Sequence, residues 1–377
     1  MSVTDQALAD LIERVRGAAA DGAPLCIRGG GSKDFYGAAI DESVGNPLSM
    51  LPLSGIVSYE PSELVVTVRA GTPLAELEAL LAEKGQCLPF EPPHFGDESH
   101  RATVGGMVAA GLSGPARASV GAVRDYVLGV QMLNGRGELL TFGGQVMKNV
   151  AGYDLSRVLV GSLGVLGVIV EVSLKVLPKA LAEATLRFEL SQAEALARLN
   201  QWGGQPLPLN ASCWVEDGSV GTLYLRLRGA FAAVEAACEQ LGGDRIDNAQ
   251  AASDWNDCRE QRLPWFSQRG TDQDLWRLSL PQTAPVLDLP EPPLVEWHGG
   301  QRWVRAAKGE DSAKRLRAAA ASVGGHATLF IAVQDQYTRA LPRFDHQKPP
   351  SDRIRRDLKR EFDPQGIFNR GRLSPDF

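Results

Sequence analysis

The stretch RGGGSK, Arg28 to Lys33, comes directly after an apolar run, Pro24 to Ile27, that is typical of a β-strand. Three consecutive glycines allow backbone N–H groups to converge on an anion, because no Cβ atom blocks its approach. Arg28 adds a positive charge beside them, and Ser32 adds a hydroxyl donor. The stretch by itself predicts either a nest for a diphosphate or a plain turn at the end of the strand.

Two further glycine-rich runs follow along the chain. Thr103-Val104-Gly105-Gly106 precedes a helix of small residues, whose N-terminal amides would favour an anion. GSLGVLG, Gly161 to Gly167, has a glycine at every third position before a valine-rich strand. It predicts either a backbone that a flat ring system can approach or a tight loop between packed elements. Three such runs in order favour one large cofactor, touching several loops of one domain, over one small phosphate.

The spacing and the composition exclude several classes of protein. The first glycine run matches neither the dinucleotide-binding Gly-x-Gly-x-x-Gly pattern nor the P-loop, which disfavours NAD-type and ATP-type folds. The formal net charge of -6 provides no basic field for nucleic acid. The N-terminus has no signal-peptide pattern, and no apolar run is long enough to predict a membrane span. The five cysteines include no Cys-x-x-Cys pair, so we expect no metal or iron–sulfur site and a reducing, cytoplasmic location.

The length of 377 residues predicts two domains, because single cores stop growing near about 250 to 300 residues. Residues 1–179 combine the glycine-rich loops with a strand–loop–helix unit, where Thr72 is the expected N-cap, and a hairpin about Asn134-Gly135. Strands and helices alternate over residues 180–340 in a way that predicts a ferredoxin-like layer. Residues 341–377 hold one helix and too few apolar residues for a core, so they must pack on another part of the chain.

Four motifs together resemble a known family. They are RGGGSK, ATVGGMVAAGLSGPAR (102–117), GAVRDYVLGV (121–130) and QVMKNVAGYDLSRVLVGSLGVLGVI (145–169). In this order they resemble the FAD-binding domain of the vanillyl-alcohol-oxidase (PCMH-type) flavoproteins. Within that superfamily, WHGGQRW (297–303) and FDPQGIFNRGRL (362–373) are similar to the FAD-binding E subunits of glycolate oxidases, so the likeness spans nearly the whole chain.

The resemblance implies an α+β fold. Residues 1–179 would form a PCMH-type FAD-binding domain of two α/β subdomains, residues 180–340 a smaller ferredoxin-like α+β cap, and residues 341–377 a segment that returns to the FAD domain. It also implies the residues that bind FAD. The diphosphate would lie on the backbone amides of the first loop with the second run opposite, the third run would approach the adenine or the ribityl chain, and a tail residue would reach the isoalloxazine. In that order the residues are Arg28, Gly29, Gly30, Gly31 and Ser32; Thr103, Gly105 and Gly106; Gly161, Gly164, Gly167 and Ile169; and Asn369.

The binding of FAD is expected to be noncovalent. Some relatives tether the flavin through a histidine near the first loop, whereas Lys33 follows Ser32 here. His94 and His100 are the nearby alternatives, and each is also explained as a loop histidine without contact to a cofactor.

Oxidation of a 2-hydroxy acid needs a base for the hydroxyl proton and a cation for the carboxylate. His298 and Arg302, which flank the Gly299-Gly300 turn, are candidates, although an exposed histidine and a salt-bridged arginine in a β-turn would give the same sequence. Lys148 is the third candidate, because a lysine near the flavin could stabilise its reduced form. A structural ion pair of Lys148 with Asp154 is the alternative.

The function that the resemblance implies is that of an FAD-dependent oxidoreductase subunit in a glycolate (2-hydroxy acid) oxidase or dehydrogenase complex. The partners would be an FAD-containing D-type subunit and an iron–sulfur F-type subunit, and the complex could be peripheral to the inner membrane through them. Two alternatives stay open. One is a self-sufficient FAD-dependent oxidoreductase for another alcohol or hydroxy acid, and the other is an assembly subunit whose flavin is redox-silent.

Overall fold

The computed structural model describes residues 3–39, 46–97, 100–144, 154–217, 220–333, 341–375 and 377. The chain forms two compact units. The first consists of Met1–Leu112, Ala122–Pro178 and His346–Phe377, and the second of Ser113–Gly121 and Lys179–Asp345. The short segment Ser113–Gly121, which the sequence division places in the first domain, therefore belongs to the second unit.

Eleven described helices and seventeen described strands make up these units. The helices are α1 Val3–Asp21, α2 Leu74–Glu83, α3 Val104–Ala110, α4 Arg117–Val120, α5 Val123–Tyr126, α6 Gln192–Gly203, α7 Phe231–Leu241, α8 Asn248–Arg259, α9 Pro264–Ser267, α10 Glu310–Ser322 and α11 Ser351–Phe362. The strands are β1 Leu25–Arg28, β2 Asn46–Ser49, β3 Ile56–Glu60, β4 Val65–Arg69, β5 Gln86–Cys87, β6 Val127–Leu133, β7 Leu139–Gly143, β8 Val168–Lys175, β9 Leu177–Pro178, β10 Ala182–Glu189, β11 Leu209–Asp217, β12 Val220–Gly229, β13 Asp244–Ile246, β14 Gln273–Ser279, β15 Leu294–Glu296, β16 Gln301–Ala307 and β17 His326–Ile331. Short 3-10 helices cover Pro61–Glu63, Ser156–Leu159 and Trp297–Gly299.

The first unit is built on an antiparallel sheet of five strands in the order β3-β4-β8-β6-β7. Strand β8 lies at its centre, and six of its eight residues are buried, while Glu171 and Lys175 are half-buried. Separately, β1 pairs in parallel with β2, and β5 pairs with β9. Strand β1 leads directly into the RGGGSK loop, which fixes one end of that loop to this unit.

Two local expectations in the first unit have different outcomes. The hairpin of β6 and β7 is confirmed, with the Asn134 side chain accepting bonds from the backbone N–H groups of Arg136 and Glu138 in the turn. The expected N-cap of α2 is wrong. Pro73 takes that position, and the Thr72 hydroxyl instead bonds to the backbone of Gly55 at 2.9 Å and 3.2 Å, because the chain before the helix packs against that loop.

The second unit is an eight-stranded antiparallel sheet in the order β13-β10-β12-β11-β15-β16-β14-β17. The half from β13 to β11, with α6 and α7, has the strand order of a ferredoxin-like fold. The other half repeats the strand order with one long helix, α10, and the two halves meet where β11 pairs with β15. Separate apolar clusters lie in the two halves. The ferredoxin-like layer is therefore present twice.

From His346 onward the C-terminal segment belongs to the first unit, where it is fixed by a buried ion pair. Lys359 in α11 contacts Asp363 at 2.7 Å, and their side chains are 7% and 0% exposed. The same ammonium donates to the carbonyl oxygens of Val165 and Phe368, while the carboxylate accepts from the N–H groups of Ile367 and Phe368. The expectation that this segment packs on another part of the chain is thus met by a specific set of bonds.

Candidate functional site

A cavity of about 270 Å³ opens at the RGGGSK loop of the first unit. Residues from four separate parts of the chain line it: the end of β1 with the glycine loop, one face of α3, the Gly161 loop, and the C-terminal tail. The lining includes Arg28, Gly29, Gly30, Gly31, Ser32, Lys33, Asp34, Thr103, Gly106, Ala109, Ala110, Leu163, Asn369 and Arg372. The structure thus brings together eight of the thirteen residues that the sequence assigned to the cofactor.

The glycines of the first loop are needed because other backbone lies against them. A Cβ atom on Gly30 would lie 1.7 Å from the carbonyl oxygen of Arg101. One on Gly29 would lie 2.3 Å from the Thr103 hydroxyl oxygen, and Gly31 has φ of +79°, which disfavours any side chain. The loop is therefore pressed against the chain that leads into α3, so any larger residue must displace it.

The first loop has the donors and the charge of an anion site. Within the part of the chain that the structure describes, the backbone N–H groups of Gly29, Gly30, Gly31 and Ser32 have no acceptor. The Arg28 guanidinium folds back on the loop to contact Asp34 at 2.5 Å. Of the charged side chains that line the cavity, Arg28, Lys33 and Arg372 are cationic and Asp34 is anionic. This balance favours a negatively charged occupant.

The second glycine run has a different role from the one its helix N-terminus suggested. The N–H groups of Val104 and Gly105 donate to the carbonyl oxygens of Thr72 and Ala70, and that of Gly106 to the Thr103 hydroxyl. These amides are thus already satisfied by the protein. Gly105 itself packs on Ala70, where a Cβ would approach within 2.7 Å. The small residues Gly106, Ala109 and Ala110 of α3 form one wall of the cavity.

The third run divides between the cavity and the core. Leu163 lines the cavity, while Gly161 donates its N–H to the carbonyl oxygen of Val108 at 3.0 Å and so joins this loop to α3. Gly167 packs against β6, where a Cβ would meet the Met132 methyl carbon at 2.3 Å, and Ile169 is a core residue of β8 with 6% exposure. Neither Gly167 nor Ile169 lines the cavity.

Asn369 joins the walls of the cavity to one another. Its Oδ1 accepts from the N–H of Ile27 at 2.7 Å, and its Nδ2 donates to the carbonyl oxygen of Leu163 at 2.7 Å. A Cβ on Gly164 would meet that same Nδ2 at 2.6 Å, which explains the glycine. Both ends of the amide are therefore engaged, so Asn369 holds two walls in place.

Arg372 is a residue of the site that sequence reasoning missed. Its guanidinium donates to the carbonyl oxygens of Lys33, Asp34 and Ala38, and thereby closes the loop that follows the glycines. Lys33 was also missed as a binding residue. Its ammonium bonds to Ser32 Oγ and to the carbonyl oxygen of His94, so it ties the loop to a neighbouring segment. The tail motif NRGRL was a signal that could have pointed to Arg372.

The two histidines near the loop, His94 and His100, contact acidic side chains that do not line the cavity. His94 Nε2 contacts Glu78 at 2.9 Å, and His100 Nδ1 contacts Asp97 at 3.1 Å. Neither ring lines the cavity.

Lys148, the third catalytic candidate, lies outside the described residues.

His298 lies in the second unit, in a strained turn. Trp297, His298 and Gly299 have consecutive φ values of +54°, +55° and +98°. The His298 Nε2 is 3.0 Å from Ser119 Oγ, and its backbone N–H donates to Ser212 Oγ. Its Nδ1 is buried and has no partner among the described residues. Burial lowers the pKa of His298 to about 4, so the ring is neutral at pH 7 and can accept a proton only at a cost.

This low pKa predicts a measurable loss of stability in acid. An unfolded histidine has a pKa near 6.5, so between pH 6.5 and 4 the unfolded chain binds a proton that the folded chain does not, and stability falls as pH falls. His298→Asn keeps a neutral side chain that tolerates positive φ. Relative to the wild type, we expect the variant to gain about 2 kcal/mol of unfolding free energy between pH 7.5 and pH 5, measured in urea. An unchanged difference between the two proteins at both pH values would contradict the buried neutral ring.

Arg302 is unsuited to be a substrate cation. Its side chain is 0% exposed, and its two terminal nitrogens donate to the carbonyl oxygens of Ala284 and Pro285 at 2.7 Å each. Desolvation lowers its pKa to about 10, which leaves it charged at pH 7. The guanidinium therefore stabilises the long connection between β14 and β15. The alternative of a salt-bridged arginine is also not met among the described residues, where Arg302 bonds to carbonyl oxygens.

Comparison with known proteins gives independent evidence for an FAD-binding region that includes the RGGGSK loop. The family model described as an FAD binding domain matches residues 3–143. The chain is 45% identical over 363 residues to glycolate oxidase subunit GlcE of Escherichia coli (strain K12), and the match covers 96% of each chain. It is 29% identical over 175 residues to glycolate oxidase subunit GlcD of Bacillus subtilis (strain 168), which covers 46% of this chain and 36% of that protein.

A solved structure with the same fold is an alkyldihydroxyacetonephosphate synthase. It aligns with a TM-score of 0.63 at 15% identity and covers 95% of this chain and 74% of that one. The fold is therefore that of the PCMH-type flavoproteins, and the glycine loop and the α3 wall of the cavity lie inside the matched FAD-binding region, whereas Leu163, Asn369 and Arg372 lie outside it. The glycine cradle that a Cβ would fill, with its free amides and net positive lining, fits the diphosphate of FAD. No described helix is long and apolar enough to cross a bilayer, and no cluster of possible metal ligands occurs in the described ranges.

Proposed function

Because this chain belongs to the family of the glycolate oxidase GlcE subunits, we propose that it is the FAD-binding subunit of a complex that oxidises glycolate or a related 2-hydroxy acid. The observation that carries the proposal is the match to a GlcE subunit over 96% of both chains together with a cavity shaped for an anion at the glycine loop. FAD, when bound, supplies the acceptor for the hydride of the hydroxyl-bearing carbon and can release electrons one at a time.

The roles of the residues follow from their contacts. Gly29 to Ser32 hold the diphosphate through free backbone amides, with Lys33 as the nearby cation. Thr103 and Gly106 form the opposite wall. Asn369 and Arg372 are positioning residues, because their polar atoms bind the walls of the cavity. We propose that FAD is held noncovalently, since neither described histidine near the loop faces the cavity.

The redox chemistry needs an acceptor for the electrons of reduced FAD, and we propose that a partner subunit provides it. Reduced FAD must lose its electrons, and the five free cysteines of this chain form no cluster that could hold iron and sulfur among the described residues. We propose that the partners are an FAD-containing D-type subunit and an iron–sulfur F-type subunit. The GlcD relative, which is named as a subunit of the same kind of oxidase, supports the first of these.

The self-sufficient oxidoreductase is the weaker alternative. It relied on His298 as base and Arg302 as carboxylate anchor. Arg302 is wholly buried with both terminal nitrogens bound to carbonyl oxygens, so it could serve a substrate only if the connection between β14 and β15 rearranged.

The proposal predicts a yellow protein whose flavin is released by denaturation. The chain is purified alone and together with the D- and F-type partners, and each sample is precipitated with acid. We expect all flavin in the supernatant, because no covalent tether is available at the loop. Flavin retained in the precipitate, or a colourless protein that takes up no added FAD, would contradict this assignment.

The division of labour is tested in the same samples. Glycolate-dependent reduction of an artificial dye is expected from the complex and not from the isolated chain. If glycolate bleaches the flavin of the isolated chain as fast as it drives the complex, the self-sufficient alternative is favoured. If a complex whose E-type subunit lacks FAD keeps full activity, the flavin of this chain is redox-silent.

A further inference from the structure

The second unit contains a cavity of about 260 Å³ that no step of the proposed function uses. Strand residues such as Cys213 and Tyr224 form one side of it, and α8 and α9 form the other with Trp255, Cys258 and Trp265. None of its lining residues lines the cavity at the glycine loop. It is therefore a separate site, formed wholly within the second unit.

The two indole rings of this cavity are held rigidly. Trp255 donates its Nε1–H to Thr185 Oγ1 at 2.9 Å, and the Arg226 guanidinium lies 4.8 Å from its ring centre. Trp265 has the Arg305 guanidinium 4.7 Å from its ring centre. Both rings are thus fixed before any ligand arrives, which reduces the entropy that binding would cost. Flat, preorganised aromatic walls suit a flat aromatic ligand.

Two thiols, Cys213 and Cys258, line the cavity. The Cys258 thiol donates to Glu296 Oε1 at 3.3 Å, and Cys213 lies directly opposite Glu296 in the paired strands. Contact with the Cys213 thiol, together with burial, raises the pKa of Cys258 well above its usual value. Because a thiol needs to ionise before it attacks an oxidant or binds a metal, Cys258 provides polarisable surface rather than a nucleophile or a metal ligand.

The charges at the cavity select against anions. Glu216 and Asp254 line it, and no lysine or arginine is among its described lining residues. The cavity at the glycine loop has the opposite balance, with three cations and one anion. A hydroxy acid, a phosphate or a second flavin would therefore meet two acidic side chains and no lysine or arginine among the described lining residues.

We propose that this cavity binds a two-ring aromatic compound that carries a cationic or N–H-donating group, with the rings against Trp255 and Trp265 and the donor group at Glu216 and Asp254. The size supports two rings, because an apolar cavity of about 150 Å³ already holds benzene. This site is independent of the flavin, so it offers the second unit a ligand of its own.

The test uses the full-length, FAD-loaded protein and two probes with the same ring system and opposite charge. 2-Naphthamidine and 2-naphthoate are titrated by calorimetry, with the flavin absorbance as the check that the first unit is intact. We expect 2-naphthamidine to bind about tenfold more tightly, which corresponds to about 1.4 kcal/mol, because the exposed acids Glu216 and Asp254 attract an amidinium and repel a carboxylate. Equal affinities, or no binding of 2-naphthamidine, would overturn the proposal.

Two double variants locate the binding site. Glu216→Gln with Asp254→Asn removes the acids of the cavity and should abolish the tenfold preference. Glu310→Gln with Asp288→Asn removes two exposed acids elsewhere in the second unit and should preserve it. A preference that survives the first double variant, or is lost in the second, would place the binding elsewhere on the protein and overturn the proposal. Trp265→Ala, which removes one wall, should weaken 2-naphthamidine binding while the flavin spectrum is unchanged.

Discussion

Replacing Gly30 with alanine is expected to reduce FAD affinity by about a hundredfold or more. The added Cβ would lie 1.7 Å from the Arg101 carbonyl oxygen, a distance at which the backbone of one segment must move. Overpacking costs about 1–3 kcal/mol, and the upper end corresponds to roughly 150-fold in affinity. The displaced loop would also turn its free N–H groups away from the diphosphate. Flavin content after purification and FAD titration of the apoprotein measure the effect.

Gly17→Ala is the matched control for this variant. Gly17 lies in α1 of the same unit, and an added Cβ has nothing within 4 Å. It should keep its FAD and gain slight stability, because alanine is the better helix former. Full retention of FAD by Gly30→Ala would mean that the glycine loop does not hold the cofactor.

A second pair of variants distinguishes a local clash at the glycine loop from general misfolding. The Cβ of Gly29→Ala would meet the Thr103 hydroxyl at 2.3 Å, and Thr103→Ala removes that oxygen. The double variant should therefore bind FAD more tightly than Gly29→Ala alone. If the double variant binds no better than the single one, the close packing of loop against α3 is not what limits binding.

Lys359→Met is expected to lower the free energy of unfolding by about 3–5 kcal/mol. The substitution leaves the Asp363 carboxylate buried at 0% exposure without its cation, and breaking one partner of a buried pair costs this much. The carbonyl oxygens of Val165 and Phe368 also lose a donor. For a unit of this size the melting temperature should fall by about 10 °C, which calorimetry or urea unfolding will detect.

Lys314→Met is the control that separates burial from charge. Lys314 also pairs with an acid four residues away, Glu310 at 2.9 Å, but both side chains are about 70% exposed. Its loss should leave stability unchanged within error, because solvent-exposed pairs contribute little. Asn369, which lines the cavity, follows the Lys359–Asp363 ion pair in the chain, so Lys359→Met should also lose FAD. If Lys359→Met is destabilised no more than Lys314→Met, the Lys359–Asp363 ion pair does not hold the C-terminal segment in place.

The sequence by itself predicted the position of the glycine loop and much of the regular structure. Three glycines after an apolar strand can serve only a few backbone geometries, and apolar spacing fixes which face of a helix or strand is buried. For example, the hairpin expected about Asn134-Gly135 is found between β6 and β7. The prediction of Thr72 as the N-cap of α2 was wrong because the Thr72 hydroxyl bonds to the backbone of Gly55, and this tertiary contact competed with the local capping bond.

Only the tertiary structure decided which polar groups are free to bind. The amides of the first glycine loop are unpaired among the described residues, whereas those of Gly105 and Gly106 are already bound, and the two runs look equally suitable in sequence. Arg302 and Asn369 were likewise expected to face a ligand, yet the terminal nitrogens of Arg302 and both polar atoms of the Asn369 amide bond to backbone atoms of distant segments. The physical reason is that a hydrogen-bonding group has a limited number of partners, and which of them are taken depends on segments far apart in the chain.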